Sequence, residues 1–275
     1  MKKIVLPTLG LVAVAAVMVA LAVSPRAVAG GVPTLADLKL PADWAEHLTV
    51  EDLTAEISDS ATRMAQNLKK AGDFDKFLKN INAEGHLAAV LASLLVEHPQ
   101  AGDWKGAAAE VREQALEVAK AAEAKGAKNY RLAQAAHKKI TDLVKSGGKG
   151  GSGGSSDPTE WTALADLSHV MKRVDPAYKF IRGKVSDEAS FKKNAEAIRH
   201  QAAVLAVLSD ISPAYRDDDK DFAKLSASMA AAARSAAKAA KSSDFDKAKE
   251  ANTAINATCN DCHKKFRLDQ KTSDF

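Results

Sequence analysis

Cys259-Asn260-Asp261-Cys262-His263 contains both cysteines of this 275-residue chain. Two thiols three residues apart, followed directly by an imidazole, form the attachment sequence for a c-type haem. The chemistry is geometric. On a helix, positions i, i+3 and i+4 share one face. Cys259 and Cys262 can then form thioethers with the two vinyl groups on one porphyrin edge, which holds His263 beneath the iron as an axial ligand. Three other uses of the pair stay open: a redox dithiol, a local disulfide and half of a zinc site. Zinc needs two further ligands nearby, and no strand precedes the motif as it does in thioredoxin-like sites.

The other end of the chain places that chemistry. Lys2 and Lys3 precede an apolar run from Ile4 to Val23, and Ala27-Val28-Ala29 supplies small residues before Gly30. This pattern is a secretory signal covering residues 1–29, cleaved after Ala29. Because the run is long, an uncleaved membrane anchor is the rival reading. Both put the functional chain outside the cytoplasm, in the periplasm, where haem attachment of this type takes place. The formal charge is +4, and Lys2, Lys3 and Arg26 carry three of those charges, so the chain beyond Ala29 stands near +1. That excludes a nucleic-acid footprint. Lys264, Lys265, Arg267 and Lys271 gather beside the motif. They are either a solvated helix end, where cations suit the dipole, or a docking rim for an acidic redox partner protein.

The elements that must hold the motif are set by the rest of the chain. A Gly/Ser-rich stretch, residues 146–157, divides two Ala-rich parts with helical spacing. As a flexible linker it would span about 17–21 Å. Residues 30–145 and 158–275 are each large enough for one core. They also resemble each other. Phe77 to Ala92 aligns without gaps with Phe191 to Ala206, placing His86 opposite His200, and Asn129 to Ile140 aligns with Asp244 to Ile255. In that register Val144, Gly147 and Gly148 stand where the second half has Cys259, Cys262 and His263. The first half is therefore expected to be a haem-free copy. The fold expected is all-α: two tandem antiparallel four-helix bundles joined by a Gly/Ser linker. In the first half the spacing predicts helices over about 50–71, 73–97, 103–125 and 128–145. In the second it predicts about 158–182, 187–210, 219–241 and 243–268, with a capped start at Asp157-Pro158-Thr159-Glu160 and a kink at Pro176.

A four-helix bundle with Cys-x-x-Cys-His on its last helix resembles the class II c-type cytochromes, the cytochrome c prime family. The run from Cys259 through Phe266 and Arg267 is similar to that family's haem segment. The resemblance puts Arg267 where the family carries a basic residue beside the haem, and Phe266 where it carries an aromatic. It also implies that the sixth coordination position faces the first helix, at Leu167-Ser168-His169-Val170-Met171-Lys172. Met171 matches the position that is a ligating methionine in some members and a non-ligating apolar residue in others. Independently, Met171 lies on the core-facing stripe of its helix, and a thioether suits the sixth position. It equally suits core packing. Aligning Ile57 with Leu167 puts Ala61 opposite Met171. His169 lies about 200° around the helix from Met171 and is expected to point outward; it is the alternative sixth ligand. His200, kept opposite His86 in the copy without the motif, reads as structural.

These readings converge on a protein with one covalent haem c per chain, attached through Cys259 and Cys262 and ligated by His263 and Met171, carrying electrons to and from a redox partner. The alternative is a gas-binding haem protein with an open sixth site for nitric oxide or carbon monoxide. No acid, base or nucleophile constellation of an enzyme stands out. The first half is expected to pack on the haem half as an intramolecular pseudo-dimer, mimicking the homodimer that the resemblance implies; the linker's reach also allows two independent bundles.

Overall fold

The computed structural model describes residues 40–154, 160–216 and 219–266. The segment expected to be a signal, the expected cap at Asp157-Pro158-Thr159, Arg267 and Lys271 lie outside the described residues. Every regular element described is helical. In the first half these are α1 (Trp44–His47), α2 (Val50–Asn67), α3 (Ala71–Lys76), α4 (Leu78–Glu97), α5 (Trp104–Ala121) and α6 (Ala127–Lys145). The second half contains α7 (Trp161–Leu164), α8 (Leu167–Lys184), α9 (Glu188–Lys193), α10 (Ala195–Ile211), α11 (Lys220–Lys241) and α12 (Phe245–Phe266), with a 3-10 turn at Ser212–Tyr215.

Four long helices in each half pack on one another in chain order: α2, α4, α5 and α6, then α8, α10, α11 and α12. The expected second helix of each half is interrupted near its start. Phe77 and Asn194 each end one short helix and begin the next with φ of −113° and −114°. These breaks turn Phe74 and Phe191, on the short helices, fully into the core. The helix expected from about 158 to 182 is also divided. Ala165 is extended, and α8 begins at Leu167 after Asp166. The His169 side chain closes that start, with Nδ1 accepting the Asp166 N–H at 3.2 Å. The helix then runs on through Pro176 to Lys184.

Alanine explains how tightly the helices approach. At Gly85 an added Cβ would sit 2.7 Å from the Ala115 carbonyl oxygen, so only glycine lets α4 lie this close to α5. Leu87 to Val96 on α4 and Ala202 to Ser209 on α10 are buried at every position. A helix apolar on all sides must be covered on all sides. Here α4 is covered by α2 and α5 of its own half and also by α7 and α8 of the other. The two hydroxyls in these runs are satisfied internally: Ser93 Oγ donates to the Ala89 carbonyl at 2.9 Å and Ser209 Oγ to the Leu205 carbonyl at 2.7 Å.

Candidate functional site

α12 runs unbroken through Cys259, Cys262 and His263, so the three residues share one stretch of helix surface as their spacing requires. Cys259 and Cys262 are partly buried and are not bonded to each other. Burial, then the neighbouring Cys262, pushes the Cys259 thiol up to about 11. Among the described residues no group of three His, Cys, Asp or Glu side chains could hold a metal ion, so the pair has no closed ligand set for zinc.

What the pair does face is a cavity of about 600 Å³. Cys259, Cys262 and His263 line one wall, and Leu167, Met171 and Val174 of α8 line another. Phe222, Leu225 and Met229 of α11 form a third. Met171, the sequence candidate for the sixth ligand, thus shares the cavity with His263. The donor set suits a haem c: two thiols and an imidazole on one helix, a thioether in the same chamber and apolar walls. At one end Tyr178 Oη donates to Asn256 Oδ1 at 2.7 Å, joining α8 to α12. Elsewhere α8 packs along α10 and against α4, while its approach to α12 is slight.

The cavity's cations were not all legible in advance. Arg216, which follows the 3-10 turn, lines it with its guanidinium carbon 5.5 Å from the Phe222 ring centre and 5.1 Å from that of Phe266. Those rings meet edge to face at 5.3 Å. Only tertiary packing brings Arg216, from one loop, to aromatics on α11 and α12. Of the basic patch, Lys264 lies 3.9 Å from Asp261 and Lys265 pairs with Asp221 of α11.

His169 does not face this cavity. Its ring stacks on His86 of the first half, with centroids 4.5 Å apart and planes 14° from parallel. Burial, then the His86 charge, lowers its pKa to about 4. His86 Nδ1 donates to the Leu164 carbonyl at 2.5 Å. The outward direction expected for His169 is therefore outward from its own bundle and into its neighbour. His200 crosses the other way. Its Nδ1 lies 2.7 Å from Asp52 Oδ1 and its Nε2 2.7 Å from Glu56 Oε1, both on α2. The histidines that align between the halves thus each contact the opposite half.

The corresponding place in the first half is filled by its own chain. The helix stops at Lys145, and Gly147 and Gly148, opposite Cys262 and His263, have φ of 65° and 81°. A left-handed backbone suits glycine and ends the helix. Matching the buried positions Ala115, Val118 and Ala119 with Ala233, Ala236 and Ala237 sets Trp104 opposite Phe222 and Ala107 opposite Leu225. Gly148 packs on Trp104 and Gly151 on Ala107, where an added Cβ would come within 2.8 Å of each. Ser152 donates its N–H and hydroxyl to Glu110 Oε2 at 2.8 and 3.0 Å. The described part of the expected free linker, 146–154, therefore lies as a strap on α5. Glycine permits this packing for the same reason that it suggests flexibility: it has no side chain. Trypsin should cut the Lys149–Gly150 bond slowly in the folded protein. Glu110→Ala should speed that cut about fivefold, equivalent to about 1 kcal/mol of lost hydrogen bonding. Equal rates in the two proteins would show that the strap is not held there.

The model of the Cytochrome C' family matches residues 162–267, the C-terminal part of the chain. This is the class II c-type cytochrome family that the haem-attachment run resembles, and it binds haem c. No curated protein and no solved structure matches the chain.

Proposed function

We propose that this chain, whose C-terminal part is of the Cytochrome C' family, is an exported monohaem electron carrier. Cys259 and Cys262 would hold the single haem c through thioethers, and His263 and Met171 would supply its two protein ligands. The observation that carries this reading is that Met171 opens into the same 600 Å³ cavity as Cys259, Cys262 and His263. When bound, the haem supplies a one-electron couple. The chain's own residues set its surroundings. α12 supplies the attachment, and α8 supplies the thioether, which raises the reduction potential. Leu167, Val174, Phe222, Leu225 and Met229 give the cavity apolar walls against which a porphyrin face can pack. Lys172, Lys179 and Arg182 also line the cavity; Lys179 pairs with Asp175 at 2.7 Å, and the net positive charge that remains offers a face to an acidic redox partner. Export and a periplasmic location are supported by the signal pattern in residues 1–29, and no described helix is long and apolar enough to cross a membrane. The contacts made by His86 and His200 support the first half as a haem-free pseudo-subunit, docked within the chain.

The test is an absorption spectrum of the matured protein, oxidised and reduced, with and without carbon monoxide. Met171 ligation gives a low-spin spectrum that carbon monoxide leaves largely unchanged. Met171→Ala should convert it to a high-spin form that binds carbon monoxide. A wild-type spectrum already high-spin, and barely altered by Met171→Ala, would establish the gas-binding alternative, with Met171 as packing.

A further inference from the structure

The polar junction between the halves lies on the reverse of the helix that presents Met171. Arg173 is buried, and its Nε and Nη2 donate to Glu56 Oε2 and Oε1 of the first half at 2.6 and 2.5 Å. Nη2 also donates to Gln201 Oε1 of α10 at 2.7 Å. Glu56 is 1% exposed, so almost none of this fork is shared with water. His200 binds the same carboxylate and reaches Asp52. Arg199 completes the group with a second fork, donating from Nη1 and Nη2 to the Asp52 oxygens at 3.0 and 2.5 Å.

A planar two-point fork fixes direction as well as distance. Arg173 lies two residues from Met171, about 200° around the helix. Rotation of α8 about its axis is therefore resisted at Arg173 and felt at Met171. The need for such an anchor follows from the cavity, which separates α8 from α12 over most of their length. The Tyr178–Asn256 bond ties them together, but Tyr178 is seven residues from Met171, about 10 Å along the helix. At the Met171 end, α8 is held by α10 and by the first half.

We infer that Glu56 of the haem-free half is a positioning residue for the haem site: through Arg173 it sets where α8 presents Met171 to the iron. This rests on the Met171 ligation proposed above. It gives the first half a role in ligand geometry, whereas a passive spacer would have none.

The test uses the full-length, haem-loaded chain. Glu56→Gln keeps the volume and one acceptor but loses the charged fork. Glu56→Leu combined with Arg173→Met replaces the pair with apolar groups of similar size and strands neither member of the fork, while His200 and Arg199 keep Asp52 as their partner. Reduced spectra, carbon monoxide titration and thermal melting by circular dichroism are recorded for each. In both variants the high-spin, carbon monoxide-binding fraction should rise about tenfold or more. In the double variant the melting temperature should return toward wild type while carbon monoxide binding stays elevated, which separates positioning from stability. Wild-type spectra and carbon monoxide response in the double variant would overturn the inference. Met171→Ala is the control. If it changes the spin state and the Glu56 variants do not, only the positioning role fails. If Met171→Ala changes nothing, the ligation reading fails first.

Discussion

Replacing Cys259 and Cys262 together with alanine should abolish covalent haem. The matured chain should lose the haem-sized increment in its mass and the haem stain on a denaturing gel. The argument is stereochemical. α12 is continuous from Phe245 to Phe266, so the two sulfurs leave the same helix surface about one turn apart and line the same cavity as His263. A single replacement leaves one anchor, and His263 can still meet the metal. The double replacement leaves only the axial ligands and apolar contact, which a denaturing gel disrupts. His263→Ala should give the complementary result: haem still attached, with its absorption spectrum altered by loss of the axial imidazole. A double alanine variant that kept its haem mass would remove the basis of the site.

The site was legible in the sequence to the extent that it is local. The five residues from Cys259 to His263 lie on one helix, and short-range spacing suffices to place them. Met171 could be found from the stripe of its own helix. The likeness of the two halves was equally local, visible as a matched run around His86 and His200. What the sequence could not show was where those histidines point. His200 was expected to be structural, and its two carboxylate contacts fit that role, but its partners Asp52 and Glu56 come from α2, nearly 150 residues earlier. Arg173 offers the same lesson. On a helix it resembles any solvated cation, and only the neighbouring bundle makes it a buried one. The wholly apolar runs of α4 and α10 were the available signal, since helices with no polar face need cover from more than one bundle. The strap along α5 is hard to read from sequence for a related reason. Glycine spacing marks both flexible segments and close packing, and the small side chains of α5 decide between them here.

The junction between the halves should make stability depend steeply on both mutation and pH. Glu56→Ala leaves Arg173 buried with its fork unmet and should cost about 3–5 kcal/mol in urea or thermal unfolding. Replacing both partners by apolar residues should cost far less, because no charge is then stranded. A double-mutant cycle therefore gives a large coupling energy even where the pair contributes little relative to an apolar pair. The pH profile follows from the groups that face His200: Asp52 and Glu56 on α2, Arg199 beside it sharing Asp52, and Arg173 on α8 sharing Glu56. Burial alone would lower the imidazole pKa, but hydrogen bonds to Asp52 and Glu56 raise it to about 9. Burial would raise the carboxylates, yet His200 and Arg173 hold Glu56 down at about 2, and His200 and Arg199 hold Asp52 well below its usual range. His200 binds its proton more tightly when folded, so its contribution is complete below about pH 6.5 and is lost as the pH rises through about 9. The carboxylates behave oppositely. Their contribution is complete above about pH 4.5 and is lost as the pH falls toward 2. Stability from this group should therefore peak between about pH 4.5 and 6.5, with an alkaline decline on the order of 2 kcal/mol. His200→Gln should flatten that alkaline limb and shrink the acid limb to the part that Arg173 and Arg199 supply, because the imidazole also holds both carboxylates down. An alkaline decline of wild-type size in the His200→Gln protein would mean that other groups govern the profile, and that the imidazole does not carry charge between the halves.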